Sequence, residues 1–324
     1  MTMAKRALSP RFWKRALEVH GLSGVIRAGL RSLRPHGDDT EDTPYLDLTA
    51  VSDDPIETLY KGIEAGATPV ISIPISSLRV ESLGLRLDDL DNNPYTRTVA
   101  EYISGEHTTY SGSALERHLT SWQPKSLAEF LGLDPDHSSE LLRSPLQAEI
   151  LPWEVAVTYE DLVARRERAE RSLALKFGPR SGGHGATTHG PVSEELGRYR
   201  FDKHRQVAES MGRDAGLKDR SDPTWWDPSR GGYVEAQLLV DESVAVGVVR
   251  EGKHRTAALA ALGVERMVVA LPARYPMVHR SEAASWPGVR SEVFTLEQAL
   301  GVFDRFFAGV APWASIPGDP HQAR

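Results

Sequence analysis

The chain has 324 residues, 40% of them apolar and 26% charged, enough for one large folded domain or two smaller ones. It has no cysteine, which excludes disulfides, cysteine nucleophiles and thiolate-held metals and fits a reducing cytoplasm. A formal charge of -7 argues against nucleic acid as a partner, because phosphate contacts need a basic surface, and no apolar run is long enough for a bilayer.

Charge is unevenly placed. Residues 1–34 hold eight Lys and Arg against the single acid Glu18, a balance of +7 that leaves -14 on the remainder. Phe12, Trp13, Leu17, Val25 and Ile26 give apolar faces to two short helices broken near Gly21–Gly24. Such an arm either rests on an anionic membrane surface, making the protein peripheral, or is a solvated helix; the second is expected. The acidic run His36–Thr43 reads as a linker.

Pro69–Leu78 is a β-branched run that predicts a buried strand despite Pro74, and Asp88–Pro94 is a turn. Tyr95–Leu133 reads as helix in pieces, with Ser126 capping a short helix closed by Gly132. Tyr159–Phe177 predicts a helix with an arginine-rich solvated face. Gly178–Pro191 is rich in glycine and small polar residues, and is either a soft domain boundary or a lid.

Beyond it, Phe201, His204, Ala208 and Met211 recur at helical spacing, with Gly212 and Gly216 as stop signals. Asp222–Pro228 holds Trp225 and Trp226, which either stack on a ligand or plug an edge. Tyr233–Val240 and Val244–Val249 predict a hairpin, Met267–Leu271 a further strand, and Thr295 caps a helix through Phe307. The stretch from Ala311 reads as a frayed tail. His184, His189 and His204 do not have a spacing that specifies a metal site.

Chemistry concentrates at Arg250–Arg255, where an apolar strand runs into Glu251-Gly252-Lys253-His254-Arg255 and then into an alanine-rich helix stopped by Gly263. A strand-to-helix turn presents unpaired helix amides to a ligand. Gly252 permits close backbone approach, Arg255 offers a fork for phosphate and Lys253 a mobile charge. The bland alternative is a structural turn in which Arg255 pairs with a carboxylate and His254 caps the helix.

The segment Val249–Leu271, VREGKHRTAALAALGVERMVVAL, resembles the signature of the ParB/sulfiredoxin superfamily, and Gly190–Gly216 resembles that family's acidic turn and following helix. The likeness covers residues 190–272. It implies an α/β (mixed α+β) ParB/sulfiredoxin-like domain, a mixed sheet with packed helices, that holds a nucleoside triphosphate or diphosphate (ATP, ADP or CTP) with Mg²⁺. Gly252, Lys253, His254, Arg255 and Thr256 would then face the phosphates. Lys253 stands where sulfiredoxin carries its reactive cysteine, so sulfinic-acid reduction is excluded. In the free-serine kinases of the superfamily a glutamate on the acidic turn acts on the substrate hydroxyl; Glu194 and Glu195 match it, and Glu251 stands where those enzymes have an aspartate. These three are the candidate catalytic carboxylates. For Glu194 and Glu195 an acidic first turn that stabilises its helix is the competing explanation.

The resulting organisation is a basic arm and linker at 1–43, a mainly helical region of no recognised family at 44–177, the ParB/sulfiredoxin-like domain at 178–310, and a tail at 311–324. Three functions compete. One is a nucleotide-dependent phosphotransferase or NTPase acting on a small molecule. The second is a non-catalytic nucleotide-binding switch that engages a protein or membrane partner. A DNA-partition binder is third, weakened by the negative charge and by room for only one convincing helix beyond Leu271.

Overall fold

The computed structural model describes residues 44–50, 54–144, 149–154, 188–215 and 233–315, with separate helical positions between 160 and 171. Contacts divide the chain into Met1–Pro44 and Tyr45–Arg324, and the following concerns the second unit. The basic arm, the acidic linker, residues 178–187, Trp225-Trp226 and residues 316–324 lie outside the described residues. So does most of the expected Tyr159–Phe177 helix, of which Glu160, Val163, Ala164, Arg166, Glu167, Arg168 and Arg171 are helical.

The architecture is mixed α/β. Strands β1 (Tyr45–Asp47), β2 (Thr68–Pro74), β3 (Leu78–Val80), β4 (Val234–Asp241), β5 (Val244–Glu251), β6 (Arg266–Ala270) and β7 (Val278–His279) form one sheet. Its order is β1-β2-β6-β4-β5-β3, with β7 paired to β4. The pairs β2/β6 and β4/β5 are antiparallel, whereas β1/β2, β3/β5, β4/β6 and β4/β7 are parallel. Strands from both sides of the glycine-rich stretch thus share one sheet.

The expected single strand over Pro69–Leu78 is two strands. Pro74 ends β2 and a 3-10 turn, Ile75–Ser77, leads into β3. Proline has no N–H for the ladder, so a strand edge is where it is tolerated. Yet β2 and β3 lie four strand spacings apart in the pairing order, about 19 Å if flat. Four Cα steps reach about 14 Å at most. The sheet therefore curls, and a Cβ added to Gly247 on β5 would lie 2.9 Å from Leu78 of β3 and 3.7 Å from Ile73 of β2.

Capping residues set the helices. Asp54 accepts from the Ile56 and Glu57 amides and opens α1 (Pro55–Glu64), which lies against β2. Asn93 accepts from the Tyr95 and Thr96 amides to open α2 (Pro94–Ser104), and Ser113 opens α3 (Ala114–Ser121). Ser126 opens α4 (Leu127–Phe130) and Ser139 opens α5 (Glu140–Arg143). Asn93 is fully buried and its amide also donates to the Arg86 carbonyl, so Asn93→Ala is expected to cost about 1–2 kcal/mol in denaturant unfolding.

The helix α6 spans Glu194–Ala215, and Phe201, His204, Ala208 and Met211 are buried along it. It runs through Gly212, which was expected to stop it; a helical glycine costs only about 1 kcal/mol, and the buried Met211 keeps the apolar face in register. The β4/β5 hairpin turns at Glu242-Ser243, where Glu242 takes φ 52. Then come α7 (Lys253–Ala261), α8 (Pro287–Arg290) and α9 (Leu296–Ala308), the last opened by a Thr295/Gln298 capping box and closed by Gly309. The tail is not frayed at its start. Pro312–Ser315 is a 3-10 turn, and Trp313 packs 4.9 Å from Trp122 at ring centroids. Among the described residues no helix is long and apolar enough to cross a membrane.

Candidate functional site

Helix α7 begins three residues earlier than its alanine run suggests, so Lys253, His254 and Arg255 form its first turn. Gly252 is its N-cap at φ 88, in the left-handed region, and no side chain caps the helix. The Gly252 conformation itself demands glycine, and an added Cβ would meet Val234 at 3.0 Å and Arg255 at 3.1 Å. Gly252→Ala should lower stability by about 1–2 kcal/mol, visible as a lower denaturant midpoint at unchanged slope.

A narrow recess opens beside this turn. Its wall includes Lys253, His254 and Thr256 from α7, Arg200 and His204 from α6, and Tyr95 from α2. Glu81, directly after β3, and Thr188 also line it. Close helix packing makes this possible: Ala257 and Ala258 are fully buried, which lets α7 approach α6 and α2.

The α6 side is chemically unusual. Arg200 is 7% exposed, and its Nη1 has no hydrogen-bond partner among the described residues. Burial lowers its pKa, opposed by the nearby Tyr95 and Glu149. His204, 4% exposed, stacks on Tyr95 at 5.7 Å and lies 4.6 Å from the His254 ring, and its Nδ1 likewise has no partner among the described residues. Burial, then the charges of Arg200 and Lys253, push His254 down to about 4. Burial and His254 push His204 well below its ordinary value, so both imidazoles are neutral at pH 7. Burial raises Tyr95 to about 12, and its hydroxyl donates to the Thr188 carbonyl.

Carboxylates stand opposite. Burial raises Glu81 to about 7, with Arg250 and Lys253 pulling it down and Glu149 and Glu154 pushing it up. One guanidinium, Arg250, serves two of them, at 3.5 Å from Glu81 and 2.9 Å from Glu154. Glu149 accepts from the Ser82 and Thr188 hydroxyls.

The residues singled out by the sequence separate into two groups. Lys253, His254 and Thr256 line the recess, although the Thr256 hydroxyl is spent on the Lys253 carbonyl at 2.9 Å. Arg255 instead turns back to the Tyr233 carbonyl at 3.3 Å, in the field of Glu251 and Glu235. The alternative expected a carboxylate partner for Arg255 and a cap from His254; Arg255 instead donates to a main-chain carbonyl, and no side chain caps the helix. Glu251 is exposed at the end of β5. Glu194 and Glu195 are exposed in the first turn of α6, where Glu194 pairs with Arg198 at 2.6 Å. None of these three carboxylates lines the recess.

His189 is a buried packing residue beside Trp122 and Phe130. Among the described residues the one group with metal-ligand proximity is Glu101, Glu106 and His107, away from the recess, and Glu101 there is already held by Arg97, Arg117 and the Ala114 amide. Sequence reasoning missed Glu81, Glu149, Tyr95 and Arg200. Arg200 left one trace: it sits four residues before His204, on the buried face of an otherwise amphipathic helix. Family models, curated proteins and solved structures give no match to this chain.

Proposed function

We propose that the protein binds a phosphate-bearing small molecule, with a nucleotide as the expected class, in the recess at the start of α7. The observation that carries this is the buried Arg200, whose Nη1 has no partner among the described residues, in one wall with Lys253 and the uncapped α7 N-terminus. A buried guanidinium donor left unpaired costs free energy that an anionic ligand recovers. The superfamily resemblance of Val249–Leu271 supports the same reading, with Arg200 in the anion-holding role expected of Arg255.

Phosphoryl transfer is the second reading, favoured by Glu81, a carboxyl group with pKa near neutrality in the same wall. Such a reaction draws on Mg²⁺ to balance phosphate charge. A switch that binds without turnover is the contrasting outcome.

The test is thermal stabilisation by ATP, ADP, CTP and GTP with Mg²⁺, followed by assay for phosphate release. Wild type should be stabilised by at least one nucleotide, and Arg200→Gln and Lys253→Ala should each weaken binding about tenfold to a hundredfold. Arg255→Ala should lower stability with little change in affinity. Absence of any nucleotide shift in folded wild-type protein would defeat the reading.

A further inference from the structure

We propose that the ligand's phosphate enters the recess together with a proton, which Glu81 carries as a neutral carboxylic acid facing the bound anion. This rests on the phosphate reading of the site and adds how its occupancy is regulated.

The argument is one of charge balance in a partly dry space. Facing Glu81 are Arg250 from β5, Lys253 from α7, and Glu149 and Glu154 from the segment before α6. Arg200, His204, His254 and Tyr95 complete the recess wall. Both histidines and the tyrosine are neutral at pH 7, given their directions of shift. Three cations (Arg200, Arg250, Lys253) therefore meet three carboxylates (Glu81, Glu149, Glu154), and the empty recess is close to neutral.

A phosphate dianion added to that set leaves two uncompensated negative charges. Protonating one carboxyl halves the excess. Glu81 is the one best placed to accept the proton. It lines the recess itself, it has only a share of Arg250 at 3.5 Å, and burial already holds its pKa at about 7. Glu154 holds the closer, 2.9 Å contact with that guanidinium, and Glu149 accepts two hydroxyl donors, so both have closer partners than Glu81. Once protonated, Glu81 turns from an acceptor that repels a phosphate oxygen into a donor to it.

Sulfate is a suitable probe because it stays a dianion across the working range, so any proton taken up belongs to the protein. Titration calorimetry of wild-type protein with sulfate in two buffers of different ionisation heat reads protons bound per sulfate. Uptake is expected to approach one proton at pH 8 and to vanish near pH 5.5, with affinity falling up to about tenfold per pH unit above 7. Glu81→Gln, neutral and still a donor, should bind sulfate with no uptake and a flat profile. Glu81→Asp should keep the uptake with a moved midpoint. Sulfate binding with no linked proton, or uptake unchanged in Glu81→Gln, would overturn the proposal while leaving the phosphate site standing. If neither sulfate nor any nucleotide binds at any pH, both fall together.

Discussion

Replacing Arg79 by alanine is expected to cost about 3–5 kcal/mol of folding stability, read as a lower denaturant midpoint and a lower Tm. The side chain is 5% exposed, and each of its three guanidinium nitrogens donates to backbone. Its Nε donates to the Phe306 carbonyl at 2.9 Å and its Nη2 to Phe307 at 2.7 Å. Its Nη1 donates to Ser76 at 2.7 Å and Leu78 at 3.1 Å. One fork thus ties the turn between β2 and β3 to the last carbonyls of α9, where a positive charge also suits the helix dipole. Deleting it removes four hydrogen bonds at about 1–3 kcal/mol each, partly relieved by water and by the Gly309 and Leu87 amides that also donate to the Phe306 and Leu78 carbonyls. Arg79→Lys keeps the charge but cannot reach four carbonyls in two directions, so it should recover less than half of the loss. A variant within about 1 kcal/mol of wild type would show that the fork does not hold these elements together.

The second large effect is a pH dependence of stability that Glu81→Gln removes. Burial raises the Glu81 pKa in the folded protein to about 7, against a reference of 4.5. Between those values the folded chain holds a proton that the unfolded chain has lost. Stability contributed by this group therefore falls as pH rises from about 4.5 and levels off above about 7, by roughly 3 kcal/mol in total. His189, His204 and His254 act in the opposite sense. Their folded pKa values are depressed, so the unfolded chain binds the extra protons and stability falls as pH drops below 6.5. The wild-type curve sums these slopes, and the difference between wild type and Glu81→Gln isolates the first. Parallel curves between pH 5 and 8 would mean that Glu81 is ordinarily solvated.

Local grammar was legible in the sequence where a few neighbouring residues decide the outcome. Ser126 and Thr295 cap the helices expected of them, and the Val234–Glu251 hairpin follows from two apolar runs and a short turn. The alanine run of α7 implied a helix at a strand end, and the helix is there, though it packs chiefly on α6 and α2 rather than on the sheet. The site was only half legible. Lys253 and His254 lie in a motif, but their partners Glu81, Tyr95 and Arg200 come from three other places in the chain, and local spacing carries no trace of that meeting. Arg255 looked like the phosphate fork because its chemistry suits one. Its direction was decided by the left-handed turn at Gly252 and by the Tyr233 carbonyl behind it. Likewise Pro74 was read as an irregularity within one strand, whereas it ends an interior strand just before the chain turns to β3 at the sheet's edge.

That crossing governs how the chain can assemble. The β4/β5 hairpin closes locally, but β2 finds its β6 partner across a long interval, with Ser72 and Arg266 joined although 194 residues apart. β3 then docks on β5, and the three-residue link from β2 leaves it no freedom to do so independently. Neither half of the chain holds the whole sheet: β1 can pair with β2, but β2 waits for β6 and β3 for β5 until the second half is made. Residues 44–177 and 188–324, produced as separate polypeptides, should each remain incompletely folded and regain cooperative unfolding only on mixing. The recess, with walls from both, would then report on reassembly by appearing only in the reunited protein.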